Sequence, residues 1–182
     1  MKFSATPLPG VYEIAALPIK DARGSFARIF CRDSFAEQGI EFQPEQTSLS
    51  VNTRAFTLRG LHFQNPPNAE EKLVRCVGGK VWDVVADLRP GPGFGQWHAV
   101  ELCSDHMNAI FIPKGLAHGF LTLTKGAVVH YQISPAYVPG FGQGVRWDDP
   151  TLAIGWPRRP RVISPVDQLL PTLMEMANAR RT

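Results

Sequence analysis

At 182 residues, with 44% apolar and 19% charged side chains, the chain has the makeup of a single globular domain spanning 1–182. Nineteen Lys and Arg against sixteen Asp and Glu leave a net charge of +3, too small an excess for a nucleic-acid-binding surface but compatible with a small anionic ligand. Three scattered cysteines, Cys31, Cys76 and Cys103, exclude a disulfide framework and a Cys-x-x-Cys metal site, and no run of about 18 apolar residues is present to cross a membrane.

The opening residues 1–7 lack the apolar core of a secretory signal, so the expected location is the cytoplasm. Residues 11–17 read as a strand, stopped by Pro18 and the turn Asp21-Ala22-Arg23-Gly24. A second strand is expected over 25–31, and a short helix over 32–39 ending at Gly39. Strands over 46–51 and 57–64 precede a loop over 64–71, fixed by Pro66-Pro67. The clearest β-region is next: 72–77, the Gly78-Gly79 turn, and 80–88. In the latter, Val81, Asp83, Val85 and Asp87 face one way, and Trp82, Val84, Ala86 and Leu88 the other. After a loop over 91–95 come strands at 98–103, 109–112, 119–124 and 128–133, punctuated by Pro113-Lys114-Gly115 and Lys125-Gly126. One late helix is expected over 166–180. It follows Ser164-Pro165, carries Asp167 in its first turn and Arg180-Arg181 at its end, and is divided by Pro171. Short strands at this spacing point to an all-β sandwich or barrel.

The chemistry concentrates in Arg59-Gly60-Leu61-His62-Phe63-Gln64 and the nearby Lys72. His62 alone reads first as a hydrogen-bonded core histidine. Flanking cations tip the reading, because buried Arg and Lys need an anion to offset their desolvation. Such a cluster suits an anionic substrate that must lose a proton. The stretch from Pro113 to Phe120, with His118, is similar to the second motif of the cupin fold. The other histidine of a metal-binding cupin is missing, since the matching position reads His62-Phe63-Gln64. Two histidines make a poor metal site, so no metal and no other cofactor are expected. Tyr131 and Tyr137 read either as packing residues or, where a hydroxyl meets a reacting carbon, as a general acid. Asp167 reads as a helix N-terminal charge or as the carboxylate that orients a catalytic histidine. Asp148-Asp149 reads as a turn, because adjacent residues rarely face one point.

Several motifs occur in a fixed order: Asp21-Ala22-Arg23-Gly24-Ser25-Phe26, Arg59-Gly60-Leu61-His62-Phe63-Gln64, Lys72-Leu73-Val74-Arg75, Phe94-Gly95-x-Trp97, Ile112-Pro113-x-Gly115-x-Ala117-His118-Gly119-Phe120, Trp147-Asp148-Asp149-Pro150 and Ser164-x-x-Asp167. In this set the chain resembles the dTDP-4-dehydrorhamnose 3,5-epimerase family, from about residue 3 to 172. The resemblance implies an all-β, cupin-type jelly roll with a few short peripheral helices, including a C-terminal one. It implies a homodimer with exchanged edge strands and a nucleoside-diphosphate 4-keto-6-deoxy-hexose as substrate. Epimerisation at C3, C5 or both is then expected, by proton removal next to the ketone. His62 matches the family's base, Asp167 its paired acid, Tyr131 the acid on the opposite face and Lys72 the lysine beside the enolate. Arg59 and His118 match other active-site residues, and Arg23 and Phe26 match residues reaching the nucleotide across the dimer. Gln46 and Tyr137 are counted with the substrate-binding set.

Three stretches depart from the family pattern. Arg28 stands where a glutamate is usual, Pro44-Glu45-Gln46-Thr47 replaces Gln-x-Asn-His, and Glu70-Glu71-Lys72 replaces a glutamine-containing segment. The reading sets all three on the substrate-reading side of the site, apart from base, acid and lysine. They leave two alternatives open: a mono-epimerase or isomerase on a CDP- or GDP-linked keto sugar, and a catalytically silent cupin that only binds a sugar nucleotide.

Overall fold

A computed structural model describes residues 1–179. In chain order the elements are β1 (Lys2–Ala5), β2 (Tyr12–Ala15), β3 (Ile19–Asp21), β4 (Gly24–Phe26), α1 (Arg32–Ala36), β5 (Gln46–Asn52), β6 (Leu58–Gln64), β7 (Glu71–Gly78) and β8 (Lys80–Asp87). They continue with β9 (Trp97–Cys103), β10 (Ala109–Ile112), β11 (Leu116–Thr122), β12 (Ala127–Ser134), β13 (Gly142–Gly144), α2 (Pro165–Gln168) and α3 (Leu173–Ala179). Two antiparallel sheets face each other, ordered β1-β2-β10-β7-β12-β5 and β13-β6-β11-β8-β9. This is the jelly-roll arrangement the sequence led us to expect.

Alternation decides which residues meet between the sheets. Val74, Cys76, Ile110, Ile112 and Val129 of one sheet pack against Val81, Val85, Leu102, Leu116 and Phe120 of the other. Each buried Leu, Ile, Val or Phe adds about 1.5–3 kcal/mol relative to exposure. The opposite side of the smaller sheet is also covered. There Val84, Ala86, Leu88 and Phe63 lie under Leu152 and Leu173 from the C-terminal segment. That is why β8 is buried on both faces, as its near-continuous apolar run suggests. The outer face of the larger sheet carries Ile14, Leu73 and Phe111 beneath an aromatic layer built on Phe35 and Phe42.

Some boundaries differ from the sequence reading. The strand expected over 25–31 ends at Phe26. Beyond it the backbone crosses the larger sheet, where the Arg75 Nη2 donates to the Ile29 carbonyl at 2.5 Å, a side-chain bond in place of a ladder. The strand expected from 119 begins at Leu116, because Leu116 and Ala117 already pair with Asp87 and Ala86. The late helix is split as Pro171 requires, into α2 and α3. Its expected end, Arg180-Arg181, lies outside the described residues. Among the described residues hairpin β3–β4 pairs only with itself, and it is exposed along its length.

Candidate active site

Arg59 and His62 are three residues apart, so strict alternation would send them to opposite faces of β6. The pairing with β11 prevents this. His62 faces His118 and Arg59 faces Phe120, so β6 takes three steps where β11 takes two. The extra residue is a β-bulge, and it turns both side chains to the same side. Gly60 permits it: its φ is +113°, and a Cβ there would lie 2.6 Å from Gly119 Cα. Gly119 is equally constrained, since a Cβ there would lie 2.7 Å from the Arg59 carbonyl oxygen. The close approach of two glycines thus sets the bulge against a cleft of about 550 Å³ that Gly119, Arg59 and His62 line.

Two His–carboxylate pairs reach this cleft. His62 Nε2 lies 2.7 Å from Asp167 Oδ1, while Asp167 Oδ2 accepts from the Gly60 N–H at 3.2 Å. Ser164 caps α2 by accepting from the Asp167 N–H at 3.0 Å, and Pro165 fits the first helical position. Burial alone would raise the Asp167 carboxyl. The hydrogen bond and charge of His62, with the Gly60 and Ser164 contacts, outweigh it and hold the group below the usual carboxylate range. The second pair is deeper: His118 Nε2 lies 2.9 Å from Asp83 Oδ2, both buried. Burial pushes the Asp83 carboxyl up, and the charges of His118 and Lys72 offset part of that.

Tyr131, opposite Val74 and Ser48 on β12, stands edge-on to the His118 ring at 6.0 Å. Burial of its hydroxyl, reinforced by the Asp83 charge and opposed by Arg59, raises its pKa far above the ordinary tyrosine value. The phenol is therefore a proton holder at any ordinary pH. Lys72 Nζ donates to the His62 carbonyl oxygen at 3.3 Å and lies 2.6 Å from Glu70 Oε1. Arg59 Nε donates to Asn52 Oδ1 at 2.8 Å, which leaves its terminal nitrogens for an anion. A group holding base, proton donor and cations in one cleft can remove and return a proton beside a carbonyl.

Of the expected site residues, His62, Lys72, Arg59, His118, Tyr131, Gln46 and Tyr137 all line this cleft. Asp167 lines the adjoining recess behind Arg59 and His62. Gln46 Oε1 accepts from the Tyr137 N–H at 2.9 Å, so these two form one wall. Arg23 and Phe26 are not in the cleft of their own chain. They sit on hairpin β3–β4, where Arg23 pairs with Asp21 at 2.7 Å and Phe26 is 74% exposed.

The sequence reading missed Glu70, which it set apart from the lysine and which instead touches it. Its spacing was the available signal, because residues 70 and 72 share a face of an extended chain. Asp83 was set on one face with Val81 and Val85 and given no partner, though a buried carboxylate demands one and here has His118. Asp148 and Asp149 diverge as a turn predicts: Asp148 pairs with Arg146, and Asp149 accepts from the N–H groups of Thr151, Leu152 and Leu173. Among the described residues no cluster of three or more His, Cys, Asp or Glu suited to a metal occurs.

Comparison with known proteins bears on this cleft. The family model for dTDP-4-dehydrorhamnose 3,5-epimerase matches residues 5–175. A dTDP-4-dehydrorhamnose 3,5-epimerase from Sinorhizobium fredii is 35% identical, covering 97% of this chain and 91% of the relative. Among solved structures, NovW, a 4-keto-6-deoxy sugar epimerase from the novobiocin cluster of Streptomyces spheroides, superposes with a TM-score of 0.94 at 37% identity, over 99% of this chain and 91% of that one. RmlC, the dTDP-6-deoxy-D-glucose-3,5-epimerase of Legionella pneumophila solved with dTDP-4-keto-L-rhamnose, gives 0.90 at 34% identity, over 95% and 93%.

Proposed function

The chain belongs to the dTDP-4-dehydrorhamnose 3,5-epimerase family, and from that membership we propose a division of labour for the residues of its cleft. It is a carbohydrate epimerase of deoxysugar biosynthesis, acting on a nucleoside-diphosphate 4-keto-6-deoxy-hexose by removing a proton next to the ketone. In our reading His62 is the base. With Nε2–H donating to Asp167, its other nitrogen is free to take the proton, and the carboxylate stabilises the imidazolium that forms. The electron pair moves onto the ketone oxygen, where the Lys72 ammonium donates a hydrogen bond to the growing enolate. Tyr131 then gives its proton to the same carbon from the opposite face and recovers one from solvent. Arg59 binds the diphosphate with its planar fork. His118, held by Asp83, completes the substrate wall, and Gln46 and Tyr137 line the nucleotide's approach.

One observation carries this reading: the 2.7 Å pair of His62 and Asp167 opens into the same cleft as the protonated phenol of Tyr131 and the ammonium of Lys72. A protein that only bound sugar nucleotides would need neither an oriented base nor a proton holder.

The partner arrangement also belongs to our proposal. Hairpin β3–β4 has no cover among the described residues, and Ile19 and Phe26 stand exposed on it. Edge strand β5 exposes Leu49 and Val51 as well. A homodimer that exchanges the hairpin covers this apolar surface and carries Arg23 and Phe26 to the partner's nucleotide. A cytoplasmic location suits the free thiols of Cys31, Cys76 and Cys103. Among the described residues no helix is long and apolar enough to cross a membrane.

The test is incubation in heavy water with 4-keto-6-deoxy sugars carried on dTDP, CDP and GDP, followed by NMR. Deuterium entering C3, C5 or both identifies the carbons and the nucleotide. Binding without exchange for every nucleotide would leave only the silent cupin.

A further inference from the structure

Glu70 has no part in the division of labour above, yet its carboxylate is buried in the cleft wall. Residues 70 and 72 are two apart on an extended run, so both side chains point inward while Glu71 between them is less buried. Glu70 Oε1 lies 2.6 Å from Lys72 Nζ, with the two side chains 7% and 9% exposed. A buried ion pair is weak as a source of stability, because desolvation cancels much of the attraction. Its geometry is more informative. An ammonium has three N–H donors in tetrahedral directions. One lies toward Glu70, and a second goes to the carbonyl oxygen of His62 at 3.3 Å. The second bond ties the ammonium to the strand that carries the base.

We propose that Glu70 is a positioning residue. Together with the His62 carbonyl it fixes the Lys72 ammonium, so that the third N–H points to the substrate's ketone oxygen as that oxygen becomes an enolate. This rests on the reading of Lys72 as the enolate donor. A lysine on a four-carbon stem otherwise samples many rotamers, and an oxyanion donor acts only when it is preorganised. The carboxylate's own negative charge opposes an enolate nearby. Its contribution is therefore one of direction and reach, not of charge.

That distinction supplies the test. Glu70→Gln keeps the reach of an acceptor and removes the charge. Glu70→Asp keeps the charge and shortens the reach by one methylene. Epimerisation kcat and KM are measured for wild type, Glu70→Gln, Glu70→Asp, Glu70→Ala, Lys72→Ala and the double Glu70→Ala/Lys72→Ala, with thermal melts to confirm folding. Positioning predicts that Glu70→Asp and Glu70→Ala lower kcat by about 10- to 100-fold with KM nearly unchanged. Glu70→Gln should recover most of that loss. Once Lys72 is already alanine, Glu70→Ala should cost less than about twofold more, since the two act as a unit. Glu70→Asp outperforming Glu70→Gln, a change confined to KM, or the full loss repeated in the Lys72→Ala background would each overturn the proposal. If Glu70→Ala does not fold, the Gln and Asp pair decides alone. A wild-type kcat in Lys72→Ala would instead overturn the enolate reading of Lys72, a separately visible result.

Discussion

Asp167 receives hydrogen bonds from two directions, the His62 ring and the Gly60 N–H, at the start of a helix whose cap is Ser164. Asp167→Asn keeps the shape and offers the imidazole an amide, so kcat should fall on the order of 10³-fold with the protein folded. The carboxyl is depressed in the folded state, so its stabilising contribution is present above the ordinary carboxylate pKa near 4 and is lost as pH falls through the lower folded value. The stability gap between wild type and Asp167→Asn in urea should close as pH falls below about 4. Tyr131 has the opposite sign. Its folded pKa is raised, so the unfolded chain ionises first, near pH 10, and stability falls as pH climbs beyond that. Tyr131→Phe should lose less stability above pH 10 than wild type does. That His62 and Lys72 would share a cleft, with Asp167 beside it, was legible because their motifs occur in a recognisable order. Glu70 was not, because the eye groups Glu70-Glu71-Lys72 as one charged run, whereas an extended backbone separates its neighbours onto different faces.

At the level of elements, period-two reading worked on β8 and would fail on β6. On β8 the inward set included Val81, Asp83 and Val85, and the outward set met the C-terminal segment. On β6 one inserted residue shifts the phase, and a bulge leaves no mark in a hydrophobicity pattern. Gly60 is the trace it does leave. Gly60→Ala must place a Cβ 2.6 Å from backbone at a positive φ, so it should cost about 2–4 kcal/mol, read from the urea midpoint. Gly24→Ala is the control: φ is also positive, at +132°, but nothing lies within 4 Å of the new Cβ, so only backbone strain of about 1–3 kcal/mol applies. Helix α2 was legible from Ser164, Pro165 and Pro171 together. That its third residue, Asp167, turns its carboxylate across to His62 on β6 was implied by the family resemblance alone, since a capping pattern says nothing of tertiary partners.

At the scale of the whole molecule, hairpin β3–β4 stands exposed among the described residues. The turn of hairpin β3–β4 was legible in Asp21-Ala22-Arg23-Gly24, where Asp21 Oδ1 accepts from the Arg23 N–H at 2.8 Å. The hairpin's isolation was not, because it depends on what the rest of the fold fails to bring near it. If the hairpin is exchanged, the 20.1 kDa chain should run at twice that mass in light scattering. The pair Ile19→Lys and Phe26→Glu should then give a monomer with a raised KM and an intact melting transition. A monomeric wild type would contradict the exchange while leaving the cleft chemistry untouched. That chemistry is tested most directly by following solvent deuterium and sugar configuration together, in one NMR experiment on wild type, His62→Asn and Tyr131→Phe. We predict exchange with inversion in wild type, neither in His62→Asn, and exchange without inversion in Tyr131→Phe, whose substrate still loses its proton but regains it from the original face. Full inversion in Tyr131→Phe, or exchange surviving in His62→Asn, would contradict the two-faced mechanism.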